Sequence, residues 1–278
     1  MESSSIEKGT KTFSIQKYKN GTIKFLSDVL AIEHPLLIKL RTPNGHVEDL
    51  VITMQTPTNQ KELVTGFLYS DGIINHPEDI VEINLQENEA LVTLSQAPAK
   101  LQARHTVSTA ACGMCGKTSL DAIKLIREFD MSKYQLSFSL QNLMLLNAQL
   151  REAQVLFEAT GGIHAAALFD MDGQVLTTME DIGRHNAVDK AIGNLLIKRL
   201  PKNGVGLFVS GRAGFELVQK CLVSGISIMV AVGAPSSLAV DYADKYGLTL
   251  IGFLQNDRFN VYSHPQRLTV NGIQLEKS

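Results

Sequence analysis

Tryptophan is absent from the chain, and the three aromatic types together make only 6% of it. Surfaces that grip stacked bases or sugars draw on such rings, so their scarcity counts against that kind of binder. Cysteine is equally sparse. Three residues in 278 cannot form the disulfide framework of a secreted scaffold. Charged residues make up 19%, and the formal net charge is −2, which excludes a broadly basic nucleic-acid-binding face while leaving room for a local basic pocket. Every apolar run is broken by Gly, Ser or charge well short of the ~20 residues that span a bilayer. The polar start, Met1-Glu2-Ser3-Ser4-Ser5, shows no secretory signal. A cytoplasmic chain without membrane or nucleic-acid partners is expected.

What is present is core-forming material. Residues AVILMFWYC make up 44% of the chain. At roughly 150 residues per domain the length fits one large domain or two ordinary ones. Residues 1–12 read as a polar, mobile lead. Residues 13–103 read as a small β-rich α+β domain. Short alternating strands occur at Leu36–Leu40, Val47–Ile52 and Ala90–Leu94, Asn44-Gly45 marks a hairpin turn, and one helix runs over Lys61–Tyr69. Residues 104–118 read as a long loop carrying Cys112 and Cys115, a length that is uncommon unless functional or disordered. Residues 119–278 alternate between helix and near-continuous apolar strand. A hairpin over Ile163–Met179 leads into three α–β units. That pattern predicts a partly parallel sheet covered on both faces, a three-layer α/β/α sandwich.

The pair Cys112-Gly113-Met114-Cys115 admits four readings. A structural zinc site needs four N/S ligands, but the third cysteine, Cys221, sits among apolar residues of a predicted helix. A thioredoxin-like redox pair belongs in a βα turn, and here a loop intervenes. An inert pair is at odds with flanking glycines in a polar loop. The fourth reading is a nucleophilic or sulfur-carrying thiolate on a movable arm. Cys115 precedes Gly116-Lys117 and a helix N-terminus, and both the dipole and the lysine favour thiolate there. No metal is assigned to any of these residues.

A second constellation falls where ligands bind in open α/β sheets, beyond the carboxyl ends of the strands. Reading those ends in order gives Gly161-Gly162 with His164; Arg184 and His185; Ser210-Gly211-Arg212; Gly233 with Ser236 and Ser237; and Phe253 through Arg258. Each block places small residues beside a polar or cationic one. Helix N-termini with Arg184, Arg212 and Arg258 suit phosphate or another anion. Taken singly each block is weak: a serine before a helix is an ordinary cap, and His164 alone is more often a structural residue than a ligand.

Together the motifs Ala111-Cys112-Gly113-Met114-Cys115-Gly116, Thr160-Gly161-Gly162-Ile163-His164-Ala165-Ala166-Ala167, Glu180 through Lys190, Ser210-Gly211-Arg212 and Gly233-Ala234-Pro235-Ser236-Ser237 resemble those of the formate dehydrogenase accessory sulfurtransferases, the FdhD family. Glu33-His34-Pro35-Leu36 and Thr65 through Ile74 fit as well, and the likeness runs over about residues 13–270. The resemblance implies a sulfur carrier. It would take sulfur from a cysteine desulfurase as a cysteine persulfide and pass it to the bis(guanine dinucleotide) molybdenum cofactor before insertion into formate dehydrogenase. It implies a homodimer and a cytidine-deaminase-like fold for the second domain. It also implies that Cys112 carries the persulfide with Cys115 assisting, whereas the helix-dipole argument favours Cys115. The family's cofactor segment maps onto Phe253, Leu254, Gln255, Asn256, Asp257 and Arg258. A guanine nucleotide is the expected partial ligand, its phosphates near Arg212, Ser236 and Ser237. Zinc deaminase chemistry does not carry over, because Ala165-Ala166 follow His164 where H-x-E requires a glutamate. The rival readings are a zinc-dependent nucleotide deaminase, a non-enzymatic cofactor chaperone and a thiol–disulfide oxidoreductase.

Overall fold

The computed structural model describes residues 2–98, 107–108, 136–200 and 204–276. Cys112, Cys115 and the helix expected over Ser119–Phe129 lie outside the described residues.

The centre of the molecule is a six-stranded mixed sheet. Its members are β9 (His164–Asp170), β10 (Val175–Asp181), β11 (Val205–Val209), β12 (Ile228–Ala231), β13 (Thr249–Gly252) and β14 (Asn260–Ser263), in the spatial order β10-β9-β11-β12-β13-β14. β11, β12 and β13 run parallel, while β10, β9 and β14 are antiparallel to their neighbours. The continuous apolar strands follow from burial on both faces. Ala166, Leu168, Leu207, Val209, Met229 and Leu250 enter one core, and Ala167, Phe169, Phe208, Val230 and Ile251 enter the other. Helix α3 (Leu140–Ala153) covers the second face through Leu143, Leu146 and Leu150. Helices α5 (Arg184–Ile197), α6 (Phe215–Val223) and α7 (Ser237–Tyr246) supply the first core. The expected sandwich with a partly parallel sheet is the fold.

The N-terminal half adds a five-stranded sheet in the order β5-β6-β3-β4-β7, from β3 (His34–Arg41), β4 (Val47–Gln55), β5 (Ile80–Gln86), β6 (Glu89–Leu94) and β7 (Val107–Ser108). Leu36, Ile38 and Leu40 of β3 and Leu63, Val64 and Leu68 of α2 (Gln60–Ser70) share one apolar cluster with α5 and the central sheet. Two sequence regions that read as separate domains thus share a core. Glycine makes the junction. A Cβ at Gly66 would stand 1.8 Å from the Asp189 carbonyl oxygen, and one at Gly193 would stand 1.9 Å from that of Glu62. Helices α2 and α5 therefore meet backbone to backbone.

Buried polar groups fasten the same junction. Lys190 Nζ lies 2.7 Å from Asp181 Oδ2 with both side chains fully buried, and it also donates to the carbonyl oxygens of Thr56 and Glu180. Asp181 in turn accepts from the backbone N–H groups of Thr56 and Gly183 and from Asn186 Nδ2. Burial pulls the Lys190 pKa down, opposed by the Asp181 carboxylate. A second pair, Lys220 to Asp189 at 2.7 Å, is joined by Ser70 Oγ, which donates to Asp189. Removing one member of such a buried pair leaves an uncompensated charge, which costs about 3–5 kcal/mol.

Residues Glu2–Gly9 form helix α1, with Gly9 buried against Leu156 and Thr56. The next two strands, β1 (Thr10–Lys19) and β2 (Thr22–Ala31), make a long hairpin around Asn20-Gly21, both residues with positive φ. Type I′ turns favour that dipeptide because both central residues need left-handed backbone. Two helices precede β9: α3 ends at Ala153 and α4 spans Val155–Thr160, with Gln154 between them at φ −90°, ψ 73°.

Candidate functional site

The carboxyl ends of β11, β12 and β13 open at one edge of the central sheet. Because β9 runs antiparallel to β11, its first residue, His164, arrives at that same edge, opposite Asp181 at the end of β10. The polar residues at strand ends thus converge by topology. The Ala165 N–H donates to Ser210 Oγ at 2.9 Å, fixing the hydroxyl beside His164. The loops after β11 and β12 are zipped together. The Gly233 N–H donates to the Gly211 carbonyl, the Ser236 N–H to that of Ala213, and the Ala213 N–H to that of Ala234.

A cavity of about 460 Å³ lies at this edge, within the range typical of small-molecule sites. Gly161, Gly162, His164 and Ser210 line it, as does Ile182. Ile163, Phe208 and Val232 add apolar surface, and Asn147, Arg151, Gln154 and Phe157 close it from the neighbouring helices and their junction. A second cavity of about 530 Å³ adjoins it, bounded by Asn147, Ala148, Arg151, Glu152, Glu158 and Asn256. Asn147 Nδ2 donates to Asn256 Oδ1 at 2.9 Å, tying α3 to the loop after β13. None of the α3–α4 residues was singled out from sequence. Polar positions on an amphipathic helix read as its solvated face, and only the tertiary structure turns that face towards the strand ends.

The remaining expected site residues divide by position. Arg184 begins α5; a Cβ at Gly211 would meet the His164 ring and Arg184 Cδ at 3.6 and 3.8 Å, so the three form one group. Burial and the Arg184 charge hold His164 below its ordinary pKa, which makes it a neutral imidazole at pH 7. His185 Nε2 lies 2.6 Å from Glu216 Oε2, and Nδ1 is buried with no partner among the described residues. Ser236 caps α7, its Oγ accepting from the Ala239 N–H at 3.3 Å, so that hydroxyl is already engaged as a cap. Arg212, Gly233, Ser236 and Ser237 border the rim loops and do not line either cavity.

In the segment after β13, Asn256 reaches the outer cavity. Phe253 is 42% exposed and holds a positive φ of 56°, a conformation a phenylalanine rarely adopts and one associated with functional loops. Gln255 and Arg258 serve each other: Arg258 Nε donates to Gln255 Oε1 at 2.8 Å, and the Gln255 N–H donates to the Arg258 carbonyl. The Leu254 side chain is 1% exposed and belongs to the core cluster that holds Phe169 and Phe208.

Cys221 is fully buried on α6, its thiol bonded to the Ile226 carbonyl, and burial pushes its pKa far up. Among the described residues no group of three or more His, Cys, Asp or Glu is placed to hold a metal, and no helix is long and apolar enough to cross a membrane.

Comparison with known proteins covers most of the chain. Residues 31–269 match the FdhD/NarQ family. The sulfur carrier protein FdhD of Nocardia farcinica is 45% identical over 251 residues, covering 87% of this chain and 88% of that protein. The protein of the same name from Saccharolobus solfataricus is 38% identical, covering 93% and 98%. A crystal structure described as a formate dehydrogenase accessory protein, from Desulfotalea psychrophila, superposes with a TM-score of 0.75 at 24% identity, covering 94% of this chain and all of that one. That likeness establishes the fold. With the family match and the curated relatives, which are named sulfur carrier proteins, the sheet, its strand-end cleft and the cysteine pair belong to a member of the FdhD/NarQ family.

Proposed function

We propose that this chain relays sulfur as a cysteine persulfide from a cysteine desulfurase to the bis(guanine dinucleotide) molybdenum cofactor, which is its cargo and not a resident group. The observation that carries the proposal is the state of the third cysteine. Cys221 is buried with its thiol pushed towards the neutral form, so sulfur chemistry falls to Cys112 and Cys115. The Cys112 thiolate attacks the outer sulfur of the desulfurase persulfide. A sulfur–sulfur bond forms on Cys112, and the desulfurase cysteine leaves as thiolate. The Cys115 thiolate then attacks the inner sulfur of that persulfide. The outer sulfur departs as hydrosulfide equivalent to the cargo, and a Cys112–Cys115 disulfide remains for a thiol reductant to reopen. Both electrons that reduce the sulfur come from the two thiols.

The cleft serves the second half of the relay. Its inner cavity is large enough for a planar heterocycle, and Arg151 and Asn256 stand on the outer side towards an anionic arm. In this reading the protein is a cytoplasmic homodimer that delivers to formate dehydrogenase.

Mass spectrometry after incubation with a desulfurase and cysteine is expected to show a labile gain of one sulfur. Cys112→Ala should abolish it, and Cys115→Ala should retain the loaded sulfur without release. Equal loading of the Cys112→Ala chain would overturn the assignment.

A further inference from the structure

The strand-end cleft has an internal division that the family relationship does not supply. Its two cavities meet at one wall, made by Asn147 and Arg151, which line both. The wall stands on α3, which ends at Ala153 with Gln154 as its C-terminal cap. That residue is 92% buried and lines the inner cavity only. No described residue hydrogen-bonds its side-chain amide. An amide on a cavity lining with no partner in the protein is open to a ligand that brings a donor and an acceptor to it.

The amide is held in place from both sides. The Gln154 N–H reaches back to the Arg151 carbonyl, and α4 begins at once beyond it. The start of α4 is clamped by the Glu180 carboxylate, which accepts from the N–H groups of Leu156 and Phe157 at 2.9 and 2.8 Å. The backbone that carries Gln154 is therefore fixed before any ligand arrives. Arg151 differs in kind: it is exposed, and no described side chain pairs with it.

We infer that Gln154 reads the heterocycle edge of the bound nucleotide in the inner cavity, while Arg151, at the shared wall, holds its phosphates on the outer side. This rests on the reading of the cleft as a guanine-nucleotide site and deepens it. A lactam edge presents a ring N–H beside a carbonyl oxygen. The amide of Gln154 presents a carbonyl oxygen beside an N–H, so the two pair twice in one plane. Guanine and a pterin share that edge. The nearby Arg151 guanidinium forms the forked contact that phosphate accepts.

The experiment is calorimetric titration of the full chain with GDP, with guanosine and with ADP. The wild type is expected to bind GDP more tightly than guanosine. Gln154→Ala should weaken GDP and guanosine in parallel by about tenfold, the scale of one lost hydrogen bond to a buried polar group. Arg151→Ala should weaken GDP by a similar factor and leave guanosine unchanged. Gln154→Glu keeps the side-chain volume. Its two acceptors match the two N–H groups on the guanine edge, so it should retain guanosine and lose ADP, which a mere folding defect would not do. If GDP fails to bind the wild type, the nucleotide reading of the cleft fails. If GDP binds the wild type and all three variants alike, that reading stands and the division proposed here is wrong. A drop in guanosine affinity on Arg151→Ala would likewise overturn the separation of roles.

Discussion

Replacing Gly66 by alanine separates two physical effects of opposite sign. Helix propensity alone favours alanine over glycine inside a helix by about 1 kcal/mol. Packing opposes it. The added Cβ would lie 1.8 Å from the Asp189 carbonyl oxygen and 2.7 Å from the Gly193 nitrogen, where ordinary contact begins at 3.4 Å. Both obstacles are backbone, so no side chain can swing aside. The helices must part by roughly 1.5 Å, and a gap of even 0.5–1 Å forfeits a quarter to a half of each dispersion contact. Overpacking of this kind costs about 1–3 kcal/mol, and the displaced interface also holds the Lys190–Asp181 and Lys220–Asp189 pairs. Set against the propensity gain, the top of that range leaves a net loss of about 2 kcal/mol, which lowers Tm by roughly 4–8 °C in a chain of this size. Thermal unfolding followed by circular dichroism reads it directly. Gly193→Ala should act similarly, since its Cβ meets the Glu62 carbonyl across the same contact. The double variant should sit within about 0.5 kcal/mol of the worse single one, because the first substitution has already separated the helices. A Gly66→Ala chain melting at or above the wild-type temperature would refute the close-contact argument, and strict additivity would show that the two glycines do not guard one contact.

Two further outcomes follow from the titratable groups. Glu216 is held below the ordinary carboxylate range chiefly by its hydrogen bond with His185, against the opposing effect of burial. A depressed carboxylate stabilises the fold above its unfolded pKa and ceases to as pH falls through the folded value. Urea unfolding should therefore find Glu216→Gln less stable than wild type at pH 7, with the gap closing below about pH 4; a gap that widened on acidification would contradict the pairing. For Cys221, alkylation of the native chain at pH 8 should leave its peptide unmodified, and denaturant should expose it. Native labelling at the rate of an exposed thiol would remove the ground for assigning sulfur transfer to Cys112 and Cys115.

The sequence by itself determined the sheet. Continuous apolar runs such as Val205–Val209 and Ile228–Ala231 can be satisfied only by burial on both faces, and the glycine-rich turns after them mark where the strands stop. It also brought His164 and Ser210 into one reading, since strand ends lie together in any open α/β sheet. Tertiary structure decided the rest, because the deciding contacts join residues far apart in the chain. Asp181, Asn186 and Lys190 look like a ligand motif in sequence, yet besides bonding within the motif they bond Thr53, Met54 and Thr56, more than a hundred residues away. Gly66 and Gly193 look like ordinary helix weaknesses until the two backbones are seen to touch. Gln154 and Arg151 carry no local signal at all. A polar residue on an amphipathic helix becomes part of a site only when packing of the opposite face, through Leu143, Leu146 and Leu150, fixes which way it points.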